Sequence, residues 1–373
     1  MFTRSTRSQT IVRRTVLTGL LALTPLSSLL ARSLDGPDEG GGAIFALTNT
    51  TTANAVVSYH RAADGSLEPA GTYPTGGVGT GAGLGSQNAV IVTDDHRFLL
   101  AVNAGSHSIS SFRIRHDGLQ LVHTVPSGGP MPTSIAVRNG LVVVLNAGQP
   151  NNISGFQLGP LGRLSAIPGF TRPLSAAQTS PAQVAFSYDG DTVIVTERAT
   201  NMISTFAVED DQLDGPFFTP SAGPTPFGFA VGQRNTVLVS EAGAGGGAST
   251  YRVTGDGVTA VSSAIMTGQR AACWAAVTPD GRFGYVTNAG TGNISGFAIA
   301  TDGSASLLDV DGVTAVTGGN PTDVAMSHDG RYLYARVANL SAIAVFRINS
   351  DGSLRALPSL IGTPAGLAGL AGF

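Results

Sequence analysis

Seven times along the chain, an aromatic residue follows nine or ten positions after the end of a short apolar run. The residues that end these runs, called anchors below, are Asn49, Asn103, Asn146, Glu197, Glu241, Asn288 and Val337. The partner aromatics are Tyr59, Phe112, Phe156, Phe206, Tyr251, Phe297 and Phe346. The segments between anchors carry strand-like patterns and Gly-rich turns, without the apolar spacing of helices. A repeat of about 48 residues with this content predicts a seven-bladed β-propeller.

Each repeat has the pattern of a four-stranded antiparallel blade, and the sixth copy shows it most fully. Its strands are predicted at residues 275–278, 282–287, 294–299 and 306–310. The pair Asp280-Gly281 joins the first two strands, and the same pair recurs at Asp189-Gly190 and Asp329-Gly330, as expected for tight hairpins. The predicted fold class is therefore all-β.

The two ends of the repeat array predict how the ring closes. Residues 44–49 already match a second strand, so the first blade lacks an inner strand of its own. Residues 364–370 resemble the inner-strand openings at residues 181–185 and 321–325. We predict that this C-terminal strand completes the first blade, because closure removes two exposed sheet edges.

The first 33 residues differ from the repeats that follow them. Basic residues precede an apolar run at residues 16–30, and the small residues Ala31 and Ser33 suit cleavage of a signal peptide. The pair Arg13-Arg14 indicates a twin-arginine export signal. We expect a signal peptide at residues 1–33, a flexible spacer at 34–42 and a propeller at 43–373. The destination would be the periplasm, the cell surface or the extracellular medium.

Charge and cysteine content limit the partners and the sources of stability. Charged residues make up 12% of the chain and the formal net charge is -3, which offers no basic surface for nucleic acid. The single cysteine, Cys273, excludes an intramolecular disulfide. We expect a monomer that binds a small molecule and contacts no membrane beyond the signal segment.

Blades that run up and down place their connections on two opposite faces of the disc. The Asp-Gly hairpins occupy one face, named the hairpin face. The other face, named the loop face, collects the loops after each second strand and the connections that lead into each inner strand. The residues predicted near the axis on the loop face are Gln87, Asn103, Asn146, Gln183, Glu197, Glu241, Gln269, Arg270, Cys273, Trp274, Asn288 and Asp323.

Two carboxylates interrupt the asparagine anchors in this set. Glu197 and Glu241 occupy anchor positions, and a carboxylate at a channel mouth can activate water as a general base. The alternative is that each Glu caps loop amides or pairs with an arginine such as Arg198 or Arg270. His107 is the one histidine predicted on the same face, either as an acid or base or as a solvated loop residue.

The other predicted site residues would contact substrate. Side-chain donors suited to an oxyanion or a polar ligand are supplied by Asn103, Asn146, Gln183, Arg270 and Asn288. Trp274 is interpreted either as an apolar wall for a ligand or as core. We expect no cofactor and no metal, since one loop-face histidine is too few for a His-based cluster. A carboxylate-bound cation in the channel stays open as an alternative.

Short phrases in the repeats resemble a known family. VNAG at residues 102–105, VTNAG at 286–290 and the hairpin phrases TPDGRF and SHDGRY resemble the seven-bladed lactonase-like propellers with YVTN-type repeats. That family includes bacterial 6-phosphogluconolactonases and fungal carboxymuconate cyclases. The resemblance implies lactone chemistry in a channel-mouth pocket lined by His, Arg and Glu. Family members open an inner strand with a Pro-x-His phrase, whereas the matching phrases here end at Gln183, Gly228 and Asp323.

The sequence therefore predicts an exported lactonase-like hydrolase that acts on a small lactone or sugar-like ligand. Glu197 or Glu241 would be the base, with His107 as a further acid or base. The competing hypothesis is a non-catalytic propeller that binds a glycan, a small metabolite or a protein partner through the loop face. Cyclisation of a dicarboxylate is a third alternative, which calls for more channel-facing arginine than the sequence places there.

Overall fold

The structure of the protein is a computed structural model that describes Met1, residues 41–255 and residues 257–373. The predicted signal peptide after Met1 and the spacer up to residue 40 lie outside the described residues. Within the described residues the secondary structure is almost entirely β, with two single-turn 3-10 helices at Gln233–Asn235 and Ala338–Leu340. Neither of these helices is long and apolar enough to span a membrane, and the described residues contain no other candidate.

Seven antiparallel sheets, counted over the described residues, form the blades. Blade 1 contains β1 (Gly42–Leu47), β2 (Ala55–Arg61), β3 (Leu67–Pro74) and, from the far end of the chain, β30 (Ala368–Gly372). Blade 2 contains β4 (Val90–Val92), β5 (Phe98–Asn103), β6 (Ser108–Arg115) and β7 (Gly118–Pro126). Blade 3 contains β8 (Pro132–Arg138), β9 (Leu141–Asn146), β10 (Asn152–Leu158), β11 (Leu164–Ala166) and β12 (Arg172–Pro173).

The remaining four blades follow the same order from the inner strand outward. Blade 4 contains β13 (Pro181–Phe186), β14 (Thr192–Glu197), β15 (Met202–Glu209) and β16 (Gln212–Pro220). Blade 5 contains β17 (Pro226–Gly232), β18 (Thr236–Glu241), β19 (Gly247–Thr254) and β20 (Gly257–Met266). Blade 6 contains β21 (Ala272–Val277), β22 (Phe283–Asn288), β23 (Asn293–Ile299), β24 (Ala305–Leu307) and β25 (Ala315–Val316). Blade 7 contains β26 (Pro321–Met326), β27 (Tyr332–Val337), β28 (Ala342–Ile348) and β29 (Leu354–Ile361). The predicted all-β, seven-bladed architecture is confirmed.

The repeated aromatic lies on the third strand of every blade and is buried between the sheets. These side chains are at most 4% exposed: Tyr59, Phe112, Phe156, Phe206, Tyr251, Phe297 and Phe346. Six of the seven anchors end the second strand of their blade, as predicted. In blade 1 the prediction of Asn49 is wrong by one residue. Tyr59 pairs with Ile44 as Phe112 pairs with Leu99, so Thr48 takes the place that Asn103 has in blade 2.

The C-terminal strand closes the ring, as predicted. Strand β30 pairs antiparallel with β1, with Leu47 opposite Ala368 and Ile44 opposite Gly372. Leu367 and Leu370 are buried beneath this closure. On the hairpin side, the buried Arg61 side chain donates to the backbone oxygen of Phe373 at 3.3 Å. The first and last strands of the array are therefore held by both backbone and side-chain contacts.

Two side chains cross the axis of the disc and tie together blades that are not neighbours. The Gln87 amide, in the segment before β4, donates to the Ala275 oxygen at 2.8 Å and accepts from the Ala275 amide at 3.1 Å. The Trp274 indole N–H donates to the Ser86 oxygen at 2.8 Å. The backbone amide of Gln87 also donates to the Ala182 oxygen of blade 4 at 3.1 Å. These contacts link blades 2, 4 and 6 at the level where the inner strands begin.

Candidate functional site

Five of the predicted loop-face residues share one structural setting. Each ends a second strand and bonds a serine on the third strand of the same blade. The pairs are Asn103 with Ser110, Asn146 with Ser154, Glu197 with Ser204, Glu241 with Ser249 and Asn288 with Ser295. All five anchors are at most 2% exposed. In blade 7 both positions are apolar, with Val337 and Ala344. These five anchors therefore join the second and third strands of their blades through a buried side-chain hydrogen bond, named the serine clasp.

Glu197 is the most completely bonded of these clasps. Its Oε1 accepts from the Ser175 amide at 3.2 Å and from the Ser204 hydroxyl. Its Oε2 accepts from the Ser175 hydroxyl and from Thr200 at 2.8 Å. Ser175 belongs to the connection that leads into blade 4, so the carboxylate holds that connection against the blade. This is the capping role that the sequence left open as the alternative to catalysis.

Glu241 has a similar place in blade 5 but is less fully bonded. Its Oε1 accepts from the Ser249 hydroxyl, while Oε2 has no hydrogen-bond partner among the described residues. Burial raises the pKa of Glu241, against the opposing effects of the Ser249 hydroxyl and the Gly223 amide. No described hydrogen bond or ion pair joins Glu197 or Glu241 to Arg198 or Arg270. Catalysis by either carboxylate stays a prediction.

His107, Arg270 and Gln183 lie apart from one another. His107 is exposed, and its Nδ1 accepts from the Met131 amide at 3.0 Å, which places the ring between blades 2 and 3. Arg270 is exposed and donates to the Gly290 oxygen of its own blade at 3.0 Å. Gln183 is buried, and both its amide atoms bond the backbone of Phe229 in blade 5. The structure therefore does not join these three side chains into one cluster.

A cation-aromatic cluster lies where the inner strands of blades 5 and 6 begin. The Arg198 guanidinium carbon is 5.0 Å from the Phe227 ring centroid, and Phe227 meets Trp274 edge to face at 5.0 Å. Burial lowers the pKa of Arg198, while the neighbouring Cys273 raises it. Burial also raises the pKa of the Cys273 thiol to about 12, so this cysteine is not a nucleophile at neutral pH. Trp274 is thus buried and hydrogen-bonded, and Phe227 contacts both Trp274 and Arg198.

The Gln87 side chain, which crosses the axis, explains why Gly228 stands where the Pro-x-His phrase of the family has histidine. A Cβ placed on Gly228 would lie 2.3 Å from the Gln87 Oε1 and 2.6 Å from the Cys273 oxygen. Only glycine fits there, because Gln87 passes next to this inner strand. No histidine could therefore stand at the end of the phrase Pro226-Phe227-Gly228.

Blade 7 carries a second polar group at the same level of its inner strand. The Asp323 carboxyl is 1% exposed, its Oδ1 accepts from the Val324 amide at 2.8 Å, and its Oδ2 has no partner among the described residues. Burial raises the pKa of Asp323 to about 8, against the lowering effects of the Val324 amide and Arg336. The Arg336 side chain donates to the Thr322 hydroxyl. The charge of Arg336 therefore acts on the Asp323 carboxyl group, while in the described part of the chain no hydrogen bond or ion pair joins the two side chains.

Arg198 and Arg336 are the cations that sequence reasoning did not place in the site. The repeat itself contains the signal for both. The residue after the anchor is alanine in blades 2, 3, 5, 6 and 7, namely Ala104, Ala147, Ala242, Ala289 and Ala338. In blade 4 it is Arg198. The residue before the anchor is Arg336 in blade 7, whereas it is small or apolar in the remaining blades. An arginine that replaces a small residue in a repeat column indicates a local function.

No group of three His, Cys, Asp or Glu side chains within residues 41–255 and 257–373 is arranged to hold a metal ion. The charged and aromatic groups found near the starts of the inner strands are Arg198 with Phe227 and Trp274, and Asp323 with the charge of Arg336 acting on it. These groups can bind an anionic or carbonyl oxygen, orient it, and exchange a proton.

Comparison with known proteins assigns this propeller to a family. The family model described as lactonase, 7-bladed beta-propeller, matches residues 44–166 and 254–367. The chain belongs to this lactonase family of seven-bladed β-propellers. A stretch of 138 residues, 36% of the chain, is 33% identical to the 6-phosphogluconolactonase of Erwinia tasmaniensis. That stretch spans 40% of the length of the Erwinia protein. The resemblance predicted from the repeat phrases is confirmed.

Solved structures agree on the fold. The periplasmic gluconolactonase of Pseudomonas aeruginosa is similar with a TM-score of 0.68 and 18% identity, over 87% of this chain and 98% of that one. A protein from Lactobacillus plantarum is similar with a TM-score of 0.73 and 14% identity, over 89% of this chain and 98% of that one. At these identities the likeness shows the common architecture and leaves the chemistry to the residues of this chain.

Proposed function

We propose that the protein hydrolyses a small lactone, with a sugar lactone as the substrate class, where the inner strands begin on the loop face. The observation that carries this proposal is the buried Asp323 carboxyl group, whose Oδ2 has no partner among the described residues and whose pKa is lowered by the charge of Arg336, in a chain of the lactonase family. Asp323 stands where family members have the histidine of the Pro-x-His phrase. A carboxyl group with a pKa near 8 titrates close to the range of an imidazole, so it can take over that proton transfer.

The proposed reaction uses groups that this chain supplies. The Asp323 carboxylate takes a proton from water as the water oxygen attacks the lactone carbonyl carbon. The oxyanion of the tetrahedral intermediate is stabilised by Arg336, with Arg198 as a second donor. When the ring C–O bond breaks, the proton on Asp323 passes to the leaving alkoxide, which gives the open hydroxy acid. Phe227 and Trp274 would form the apolar wall.

A second candidate function is ligand binding without catalysis. It is favoured by the hydrogen bonds of Glu197, whose two oxygens already accept from four donors. A carboxylate occupied in this way is a poor candidate for the base, so the proposed mechanism does not use Glu197. Hydrolysis predicts turnover of the lactone and binding without catalysis predicts none, so a lactonase assay distinguishes the two functions.

Substitution Arg336→Gln is expected to lower kcat/KM for a hydrolysed lactone by about 100-fold or more, because one charged oxyanion donor is lost. The measurement is a screen of γ-lactones, δ-lactones and sugar lactones with the purified wild type, followed by kinetics of the variant on the best substrate. Ligand binding without turnover in the wild type would support the binding function and reject hydrolysis.

Two further variants serve as controls in this assay. Arg282→Gln removes an exposed arginine paired with Asp280 on the hairpin face and should leave kcat/KM unchanged. Glu197→Gln should keep the rate of the folded protein while lowering its stability, because an amide nitrogen cannot accept the Ser and Thr hydroxyl bonds. Equal rates in Arg336→Gln and wild type would remove Arg336 from the mechanism.

We also propose that the protein is exported through its twin-arginine segment. The support is the order of residues 1–33 and the periplasmic location named for the Pseudomonas relative. In a host with a twin-arginine system, replacing Arg13 and Arg14 by lysine is expected to leave the full-length chain in the cytoplasm. Fractionation with an antibody to the propeller measures this, and unchanged export of the double variant would reject the twin-arginine route.

A further inference from the structure

A cleft lies between the outer strands of blade 7 and the hairpin that joins β2 to β3 in blade 1. Its volume is about 590 Å³, and its lining includes Arg331, Arg347 and Arg355 on one side and Asp64 on the other. This volume is in the range of small-molecule sites. In blade 7 the cleft is lined by β28, β29 and the hairpin end of β27, so it is separate from the inner strands where the lactone site is proposed.

Two of these arginines face each other in the sheet. Arg347 on β28 lies directly opposite Arg355 on β29. Like charges at directly opposed positions of an antiparallel pair destabilise it. The equivalent pairs in the other blades avoid this arrangement: His60 with Glu68, Arg113 with Gln120, Gln157 with Ser165, Ala207 with Asp214, Arg252 with Thr259, and Ala298 with Ser306. Blade 7 is the exception in its repeat column.

The charges of this pair are not neutralised by the protein. Neither Arg347 nor Arg355 has a hydrogen-bond or ion-pair partner in the described part of the chain. By contrast, Arg252 at the equivalent position of blade 5 donates to two backbone oxygens. Arg331 lies 3.9 Å from the Asp329 carboxylate, which offsets its charge. Two uncompensated guanidinium groups therefore remain in the cleft.

The walls of the cleft are fixed by contacts between the two blades. The Tyr332 hydroxyl donates to the Ala63 oxygen at 2.9 Å, and the Tyr334 hydroxyl donates to the Gly65 oxygen at 3.0 Å. Gly65 has a φ of +88°, and a Cβ there would lie 2.3 Å from the Tyr332 ring. The hairpin of blade 1 is thus held against blade 7, and the arginines face a preformed space.

We propose that this cleft binds a phosphate monoester, with Arg347 and Arg355 as the residues that hold the phosphate. A dianionic phosphate matches the two uncompensated charges, and guanidinium groups bind its oxygens with paired hydrogen bonds. Tyr332 and Leu357 supply apolar surface for the organic part. Asp64 can accept from a ligand hydroxyl, and its negative charge disfavours a second anionic group at that end.

The test is a binding measurement on the purified chain by isothermal titration calorimetry. Glucose 6-phosphate is the probe, inorganic phosphate is the comparison, and chloride at matched ionic strength is the blank. The wild type is expected to bind glucose 6-phosphate more tightly than inorganic phosphate. Arg355→Gln is expected to weaken this binding by about tenfold or more, because one charged donor is lost. The matched control is Arg113→Gln, at the position of blade 2 that corresponds to Arg347, and this variant should bind as the wild type does.

Three results would overturn the proposal. They are no heat of binding beyond the chloride blank, equal or tighter binding of inorganic phosphate, and equal loss of affinity in Arg113→Gln and Arg355→Gln. A merely structural role for Arg355 would lower the melting temperature of the ligand-free variant. Binding by the arginine pair predicts the reverse, since removing one like charge should leave that temperature unchanged or higher. Lactone hydrolysis by Arg355→Gln should equal that of the wild type, so this test is independent of the proposed activity.

Discussion

Deletion of residues 364–373 is expected to abolish cooperative folding of the propeller. The deletion removes β30, so β1 loses its inner partner and the ring opens between blades 7 and 2. It also removes Leu367 and Leu370, which are buried, and each leucine contributes about 1.5–3 kcal/mol through burial. Together with the lost strand pairing, this is comparable to the whole stability of an ordinary domain, about 5–15 kcal/mol. Thermal unfolding followed by circular dichroism measures the effect.

Two comparisons distinguish ring opening from a general effect of shortening the chain. The double substitution Leu367→Ser with Leu370→Ser should also lower the melting temperature strongly, whereas Ile361→Ser, at a position that is 78% exposed, should change it little. A synthetic peptide of residues 364–373 should partly restore the unfolding transition of the shortened chain. A shortened chain that melts within a few degrees of the wild type would show that β30 does not close the ring.

The architecture could be predicted from the sequence because a propeller repeats the same local solution seven times. Each copy needs one buried aromatic on the third strand and a turn with a positive φ at the hairpin. Both can be recognised from the residue types in the sequence. Asp189-Gly190 and Asp280-Gly281 behave in this way, with Gly190 at φ +89° and Gly281 at φ +72°. The hairpin of blade 2 has no glycine, and His96 takes the positive φ there at +55°. Even ring closure followed from an incomplete first copy.

The candidate site was harder to predict because the repeat pattern does not show which side chains contact residues outside their own blade. Glu197 replaces asparagine in its column, and the change of residue type indicated chemistry. In the structure this carboxylate bonds a serine of the third strand, as Asn103 does in blade 2, and its catalytic role stays a prediction. Contacts across the axis could not be predicted either, because the bonds of Gln87 to Ala275 and of Trp274 to Ser86 each join residues 188 positions apart and follow no periodic rule.

The contribution of Asp323 to the stability of the protein is expected to fall as the pH rises from about 4 to about 8. Burial raises the pKa of this carboxyl group to about 8 from its ordinary value of 3.8. The folded state therefore keeps a proton on Asp323 that the unfolded chain releases, so the contribution of this group is full below pH 4 and declines up to pH 8. Asp323→Asn removes this titration, so the stability of the variant relative to the wild type should increase across the same window. Urea unfolding at several pH values measures the difference.

A control with the opposite sign checks this interpretation. The Ser304 hydroxyl and amide lower the pKa of Asp302, so Asp302→Asn should cost stability at neutral pH and lose that effect as the solution becomes acidic. Parallel curves for Asp323→Asn and the wild type between pH 4 and pH 8 would contradict a raised pKa at Asp323.

The same substitution tests the proposed base. If Asp323 takes the proton from water, only its ionised form is active, so the lactonase rate of the wild type should rise with pH through about 8. Asp323→Asn should lower kcat/KM by about 100-fold or more and abolish that rise, because an amide cannot accept the proton. Steady-state kinetics between pH 6 and pH 9 measure both effects. A variant that shows the expected stability profile yet keeps the full rate would assign Asp323 to the inner-strand structure alone. Loss of the rate together with its pH dependence would identify Asp323 as the base.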